Sequence, residues 1–128
     1  MDNCQFKKCE RMVSLRLIDM LFNGGSSHSM AAFPLRAVYV LADRRLGDAP
    51  VQLLISVPKK RFHHAVDRNR VKRQLRESYR LHKDILVPSL PDGKRLLMSF
   101  VWLSDRHLPT AEVEQRVVNL LQRIAEKL

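Results

Sequence analysis

The sequence predicts a small α+β sandwich, and three observations carry that prediction. Stretches of helical period stand near both ends of the chain, at residues 14–22 and 110–128. Three runs of strand length and composition lie between them, Leu35–Leu41, Gln52–Val57 and Arg95–Leu103. A long basic segment in helical rhythm, starting near Asp67 and ending near Leu81 or His82, separates the last strand from the others. The order is therefore helix, two or three strands, basic helix, strand, helix. At 128 residues this is one domain over residues 1–128, long enough to build a core without staples.

The first helix places Leu15, Ile18 and Phe22 on one face with Leu17 and Leu21 beside it, and Asn23-Gly24-Gly25-Ser26-Ser27 stops it. Residues 1–11, ahead of it, are polar and charged, which predicts a flexible or loosely ordered start. Asp43–Pro50, with Gly47 and Pro50, reads as a polar hairpin loop between the first two strands, and Pro91-Asp92-Gly93 as the turn into the last. In the final helix Val113, Val117, Leu120, Leu121, Ile124 and Leu128 form the apolar stripe. Thr110 is the expected N-cap, with Glu112 and Glu114 favoured in the positive first turn.

The charge is unevenly placed. Residues 59–83 hold ten of the 23 Lys and Arg against only Asp67 and Glu77, a local net charge of +8 (ten minus two) within a chain of +10. At 100° per residue, Val71, Leu75 and Ser78 share the buried side of this helix with Tyr79 on their flank. Asn69, Arg73, Arg76 and Arg80 cluster opposite, and Arg68 and Lys72 border the seam. Glu77 can pair with Arg80 three residues on, while most of the arginines have no intrahelical partner. A merely solvated face would intersperse both signs. Planar guanidinium groups fork onto phosphate oxygens, so this face points to a polyanion, with the loop Lys59-Lys60-Arg61 leading into it.

Other chemistries are poorly supported. Cys4 and Cys9 lack zinc-ribbon spacing and read as free thiols in a reducing compartment. No apolar run approaches the length of a membrane span, and no secretory leader is visible, so no membrane partner and a cytoplasmic location are expected. His63 and His64 could suggest acid–base nuclease chemistry, but adjacent loop residues point apart, and His28, His82 and His107 look isolated. No acid or histidine grouping resembles a metal cage. The expectation is a binding protein with no catalytic residue and no metal ligand of its own.

A family resemblance rests on these same residues. Ile55-Ser56-Val57-Pro58-Lys59-Lys60, then Ala65-Val66, then Arg68-Asn69-Arg70-Val71-Lys72-Arg73-Gln74-Leu75-Arg76-Glu77, resembles the signature of the protein subunit of bacterial ribonuclease P. Phe6-Lys7-Lys8 and Leu21-Phe22-Asn23-Gly24 match more loosely. Pro58 stands where the family favours Ser or another small residue, Ile18 where an aromatic is common, and the Asp43–Pro50 loop is individual. The resemblance implies a two-layer, ribosomal-protein-like α+β sandwich, with a mixed sheet of about four strands, three helices and a left-handed βαβ crossover.

It also implies the function. The enzyme removes the 5′ leader of precursor tRNA, its RNA subunit is catalytic, and Mg²⁺ is held mainly by that RNA. The implied partners are the ribonuclease P RNA and precursor tRNA, with no obligate protein partner. Lys59, Lys60, Arg61, Arg68, Asn69, Arg70, Lys72, Arg73, Arg76 and Arg80 would contact the catalytic RNA. A cleft between the sheet and the first helix would hold the single-stranded leader, with Ile18, Phe22, Phe33, Arg36 and Tyr39 as candidate contacts. The rival readings are a ribosome-associated or other structured-RNA-binding protein without a processing role, a protein-only nuclease using His63 or His64, and a DNA reader. The last lacks a recognisable helix-turn-helix or zinc pattern.

Overall fold

The computed structural model describes residues 15–23, 25 and 27–128. Residues 1–11 with Cys4 and Cys9, the Phe6-Lys7-Lys8 match, Gly24 and Ser26 of the helix stop, and the side chains of Leu15 and Leu17 lie outside that set. Within it the order is α1 (Leu15–Asn23), β1 (His28–Ala32), β2 (Leu35–Asp43), β3 (Val51–Ser56), α2 (Ala65–His82), β4 (Lys94–Trp102) and α3 (Thr110–Lys127). Two short 3-10 turns, Lys83–Ile85 and Val87–Ser89, link α2 to β4 around the fully buried Leu86.

The four strands form one mixed sheet in the order β1-β2-β4-β3, antiparallel except for the parallel pair β3 and β4. The expected hairpin between β2 and β3 does not form, because β4 lies between them. The residues of β4 explain the exchange. Leu96 to Phe100 are buried without interruption, as a strand covered on both faces requires, and such a strand belongs at the centre. The hairpin is instead β1–β2, closed at Phe33 and Pro34. β1 is the third strand that the sequence left open. Its run His28-Ser29-Met30-Ala31-Ala32 is poor in β-branched residues, and α3 supports it from outside. Arg123 donates to the Ala31 carbonyl at 2.9 Å and Arg116 to the Phe33 carbonyl at 3.0 Å.

Strand alternation divides the sheet into two faces. Leu35, Ala37 and Tyr39 of β2, Val51 and Leu53 of β3, and Leu96, Met98, Phe100 and Trp102 of β4 face α2 and α3. The helices bring Val71, Leu75 and Tyr79, and Val113, Val117, Leu120, Leu121 and Ile124, to the same core. The opposite face carries a smaller cluster in which Leu21 of α1 packs on Val38, Val40 and Leu97, with Ile18 and Met20 beside it. The two-layer sandwich thus has a partial third layer. An apolar patch at the centre of a sheet needs cover, and α1 supplies it. The stripe of α1 centres on the fully buried Leu21, whereas Phe22 is 43% exposed.

Two local readings also change. Pro109 takes the N-cap position of α3 and Thr110 is its first helical residue, with the amides of Glu112 and Val113 bonded to the Pro109 carbonyl. The Thr110 hydroxyl instead accepts a hydrogen bond from Gln74 Nε2 of α2 at 3.2 Å. Glu114 leaves the first turn to Glu112 and bonds His82 at 3.1 Å across the α2–α3 seam.

Candidate nucleic-acid interface

The β3-to-α2 segment builds the basic surface. Arg61 N–H bonds back to the Pro58 carbonyl at 3.0 Å, so Pro58–Arg61 is a tight turn that leaves Lys59 and Lys60 exposed. Phe62 then turns inward and stacks on His107 at 4.6 Å between ring centroids. His107 Nε2 meets Asp67 in the first turn of α2 at 3.0 Å. Arg68 donates from Nη1 to the carbonyls of Phe62 (2.8 Å) and His63 (2.9 Å). These contacts fix the loop against the start of the helix, so Lys59 and Lys60 keep a set position relative to the arginines that follow. His107 and His82 are therefore not isolated, contrary to the sequence reading, and His28 lies 5.4 Å from Tyr39, ring to ring. His63 and His64 are exposed.

Along α2 the predicted segregation holds. Val71, Leu75, Ser78 and Tyr79 are buried. Gln74 joins them; its Nε2 also donates to the Leu108 carbonyl at 3.1 Å. Position 74 lies three residues from Val71 and four from Ser78, so helical spacing alone placed it on the buried stripe. Asn69, Arg70, Arg73 and Arg76 are exposed, while Arg68, Lys72 and Arg80 are half-buried. Asn69, Arg73, Arg76 and Arg80 follow one line of the helix over roughly 16 Å.

The basic residues are not equivalent. Arg80 is held by Glu77, through Nε at 3.2 Å and a second, shorter contact from Nη2. That contact, together with the Arg80 charge, keeps the Glu77 carboxyl below its ordinary range. Arg68 is engaged with the loop carbonyls, and Arg61 is half-buried with its Nε unpaired among the described residues. Among the described residues, the side chains of Arg70, Arg73 and Arg76 make no hydrogen bond or ion pair.

The sheet face that carries α1 continues toward this surface. Val38 pairs with Ser99 and Ser99 with Leu54, and one step further along Arg36, Val101 and Ser56 form the next row on the same face. The α1 cluster covers Val38, Val40 and Leu97. The Arg36 end of the face lies beyond that cluster, next to the strand end from which Pro58–Arg61 departs. Arg36 is exposed there, its Nε bonded to Ser29 Oγ at 2.8 Å.

Of the five residues expected in the leader cleft, Ile18 and Phe22 of α1 and Arg36 belong to this side of the molecule. Tyr39 does not. It is buried against the α2–α3 core, where burial also raises its phenol pKa. Phe33 stands at the tip of the β1–β2 turn, 69% exposed. Among the described residues no three His, Cys, Asp or Glu side chains group as metal ligands, and no helix is long and apolar enough to cross a membrane.

Comparison with known proteins fits this architecture. The ribonuclease P family pattern matches residues 6–125. The ribonuclease P protein component of Porphyromonas gingivalis is 38% identical over 119 residues, covering 92% of this chain and 85% of its own. Among solved structures, the ribonuclease P protein of Thermotoga maritima superposes with a TM-score of 0.65 at 23% identity, over 89% of this chain and 96% of its own. That of Staphylococcus aureus gives 0.64 at 20% identity, over 91% and 95%. At such identities the two structures speak to the fold alone.

A small mixed sheet bearing a segregated basic helix defines an RNA-binding α+β protein. The chain belongs to the ribonuclease P protein family: it is the protein component, an accessory subunit of the tRNA-processing endoribonuclease, and the ribonuclease P RNA is its partner.

Proposed function

We propose that α2 docks this subunit on the ribonuclease P RNA while the Arg36 end of the opposite sheet face takes the single-stranded 5′ leader of precursor tRNA. The observation that carries the reading is the exposure of Arg70, Arg73 and Arg76 without a partner among the described residues, on a helix whose other half is firmly anchored. Guanidinium groups in that state are ready to fork onto phosphate oxygens. Asn69, Lys72, Lys59 and Lys60 flank them on the same surface. Arg68 serves chiefly to hold the loop, and Arg61 and Arg80 stand at the border.

On the leader side, Arg36 offers charge and Phe22 an exposed ring. Ile18 and Phe33 widen the apolar surface, and Tyr39 drops out. Aromatic stacking tolerates any base, which suits a leader of variable sequence. Precursor tRNA is the substrate in this reading, and Mg²⁺ held by the RNA would supply the activation of water and the stabilisation of the leaving oxygen. The protein's own part is electrostatic. Two polyanions must be held together, and the basic surface lowers their repulsion and hence the Mg²⁺ concentration they need.

The test is 5′-leader cleavage by the cognate RNA at low Mg²⁺, with and without the protein. Stimulation by a chain that is inert alone is the expected result. Folded protein that binds the RNA without stimulating cleavage would overturn the reading in favour of RNA binding without a processing role.

A further inference from the structure

A second basic site lies at the far end of the α1-bearing face, away from α2. Ala42 and Arg95 pair there across β2 and β4, two residues beyond the Val40–Leu97 row that α1 covers. Arg95, Arg16 of α1 and Arg45 of the β2–β3 loop line an open pocket of about 420 Å³, with Met20 and Ala42 as its apolar wall. The acids beside it are already engaged. Asp43 bonds Lys94 at 2.7 Å, and that bond, with the Lys94 charge and then the Arg45 charge, holds its carboxyl below the ordinary range. The Asp48 carboxylate accepts the Arg45 backbone N–H at 2.8 Å and lies 3.7 Å from Arg95 Nη1.

The cations are less fully satisfied. Among the described residues, the guanidinium groups of Arg16 and Arg45 make no hydrogen bond, although the Arg45 charge acts on the Asp43 carboxyl. Arg95 is largely buried; its Nη1 reaches Gln52 Oε1 at 3.1 Å, yet its Nε is buried with no hydrogen-bond partner among the described residues. Counting Arg16, Arg45, Lys94 and Arg95 against Asp43 and Asp48, the site carries +2 (four minus two). The loop is also pre-shaped. Asp48 N–H bonds the Arg45 carbonyl at 3.0 Å, Arg44 N–H bonds the Gly93 carbonyl at 2.9 Å, and Gly47 supplies the left-handed turn at φ +90°.

We propose that this pocket is a phosphate subsite for single-stranded RNA, holding a leader nucleotide distal to the cleavage point, with its sugar or base against Met20 and Ala42. The proposal rests on the leader reading above and extends its path. From the Val101 row to the Arg95 row the face runs roughly 20 Å along β4, with α1 and its exposed Phe22 between. Only a leader of several nucleotides reaches that far, so the subsite distinguishes long leaders from short ones.

The test uses the holoenzyme reconstituted with the cognate RNA, and precursor tRNAs identical except for short and long leaders. Binding is measured for wild type, Arg45→Ala and Arg16→Ala. Arg45→Ala removes only a side chain, since the turn is built from the backbone of that residue, and unchanged melting temperatures verify the fold.

Wild type is expected to bind the long-leader substrate more tightly. Each variant should lose on the order of three- to tenfold of that advantage, the effect of one exposed hydrogen-bonded contact, and match wild type on the short leader. An unchanged advantage in the variants overturns the subsite. Equal weakening on both substrates also overturns it, placing these arginines on the catalytic RNA or the tRNA body. No length advantage in wild type would instead sink the leader reading on which the proposal stands.

Discussion

Helices α2 and α3 are both 18 residues long, each buries five side chains, and they pack side by side on one sheet face. They differ in what the other half of each helix does. α3 carries Glu112, Glu114 and Glu126 against Arg116, Arg123 and Lys127, an even balance. Its arginines bond the carbonyls of Phe33 and Ala31 and thereby close the edge of β1. α2 carries six Lys and Arg against Asp67 and Glu77, and among the described residues Arg70, Arg73 and Arg76 have no hydrogen-bond or ion-pair partner. Equal helices in one layer thus divide the work, α3 completing the fold and α2 presenting charge to a partner.

The comparison is sharpened most strongly at the shared core, where the helices should behave alike. Leu75→Ala and Leu121→Ala each remove a fully buried side chain facing the same cluster. Each should destabilise the isolated protein by about 2–5 kcal/mol, read from denaturant unfolding. A loss at Leu75 far below that at Leu121 would mean that α2 is only loosely attached, and its charge could not be called ordered.

The outer faces should then separate. Arg73→Ala is expected to weaken binding to the ribonuclease P RNA by about 1–3 kcal/mol and leave the melting temperature unchanged. Arg116→Ala should do the reverse, destabilising by about 1 kcal/mol through the lost bond to the Phe33 carbonyl while RNA affinity holds. Matching losses of affinity in the two variants would erase the division of labour.

Salt offers a finer measure of the same contrast. If Arg73 contacts a phosphate, Arg73→Ala should flatten the plot of log affinity against log salt by about 0.7–0.9, the share of one released counterion. Arg123→Ala should not alter the slope, because its guanidinium is occupied by Ala31 and Asn119. Equal slopes for wild type and Arg73→Ala would remove Arg73 from the interface.

Much of this was legible in the sequence, because helical period and charge are local properties. The stripe Val71, Leu75, Ser78, Tyr79 and the pairing of Arg80 with Glu77 follow from spacing alone. The exchange of neighbours in the sheet was not legible, since which strand stands beside β2 depends on how β4 buries both its faces. Tyr39 was misplaced for a simpler reason. It lies three residues from Arg36 in one strand, and an odd separation puts two side chains on opposite faces. The second duty of Arg68 needed the folded loop, because no spacing rule announces a bond from a guanidinium to carbonyls five and six residues upstream.

The smallest expected effect tests the border of the α2 surface. Arg80 lowers the Glu77 pKa, first through the hydrogen bond and then through its charge. A pKa depressed in the folded state contributes stability that is present above the unfolded value and lost as pH falls through the folded one. The pair is largely exposed, so that contribution is small. Glu77→Gln should therefore shift stability at neutral pH by no more than about 0.5 kcal/mol and flatten the acid limb of the stability curve. It also removes one acid and raises the net charge of the face by one, so RNA binding should tighten slightly and grow more salt-dependent. A weakened complex would show instead that the Glu77–Arg80 pair is itself the recognised feature, and that the border residue works by being held.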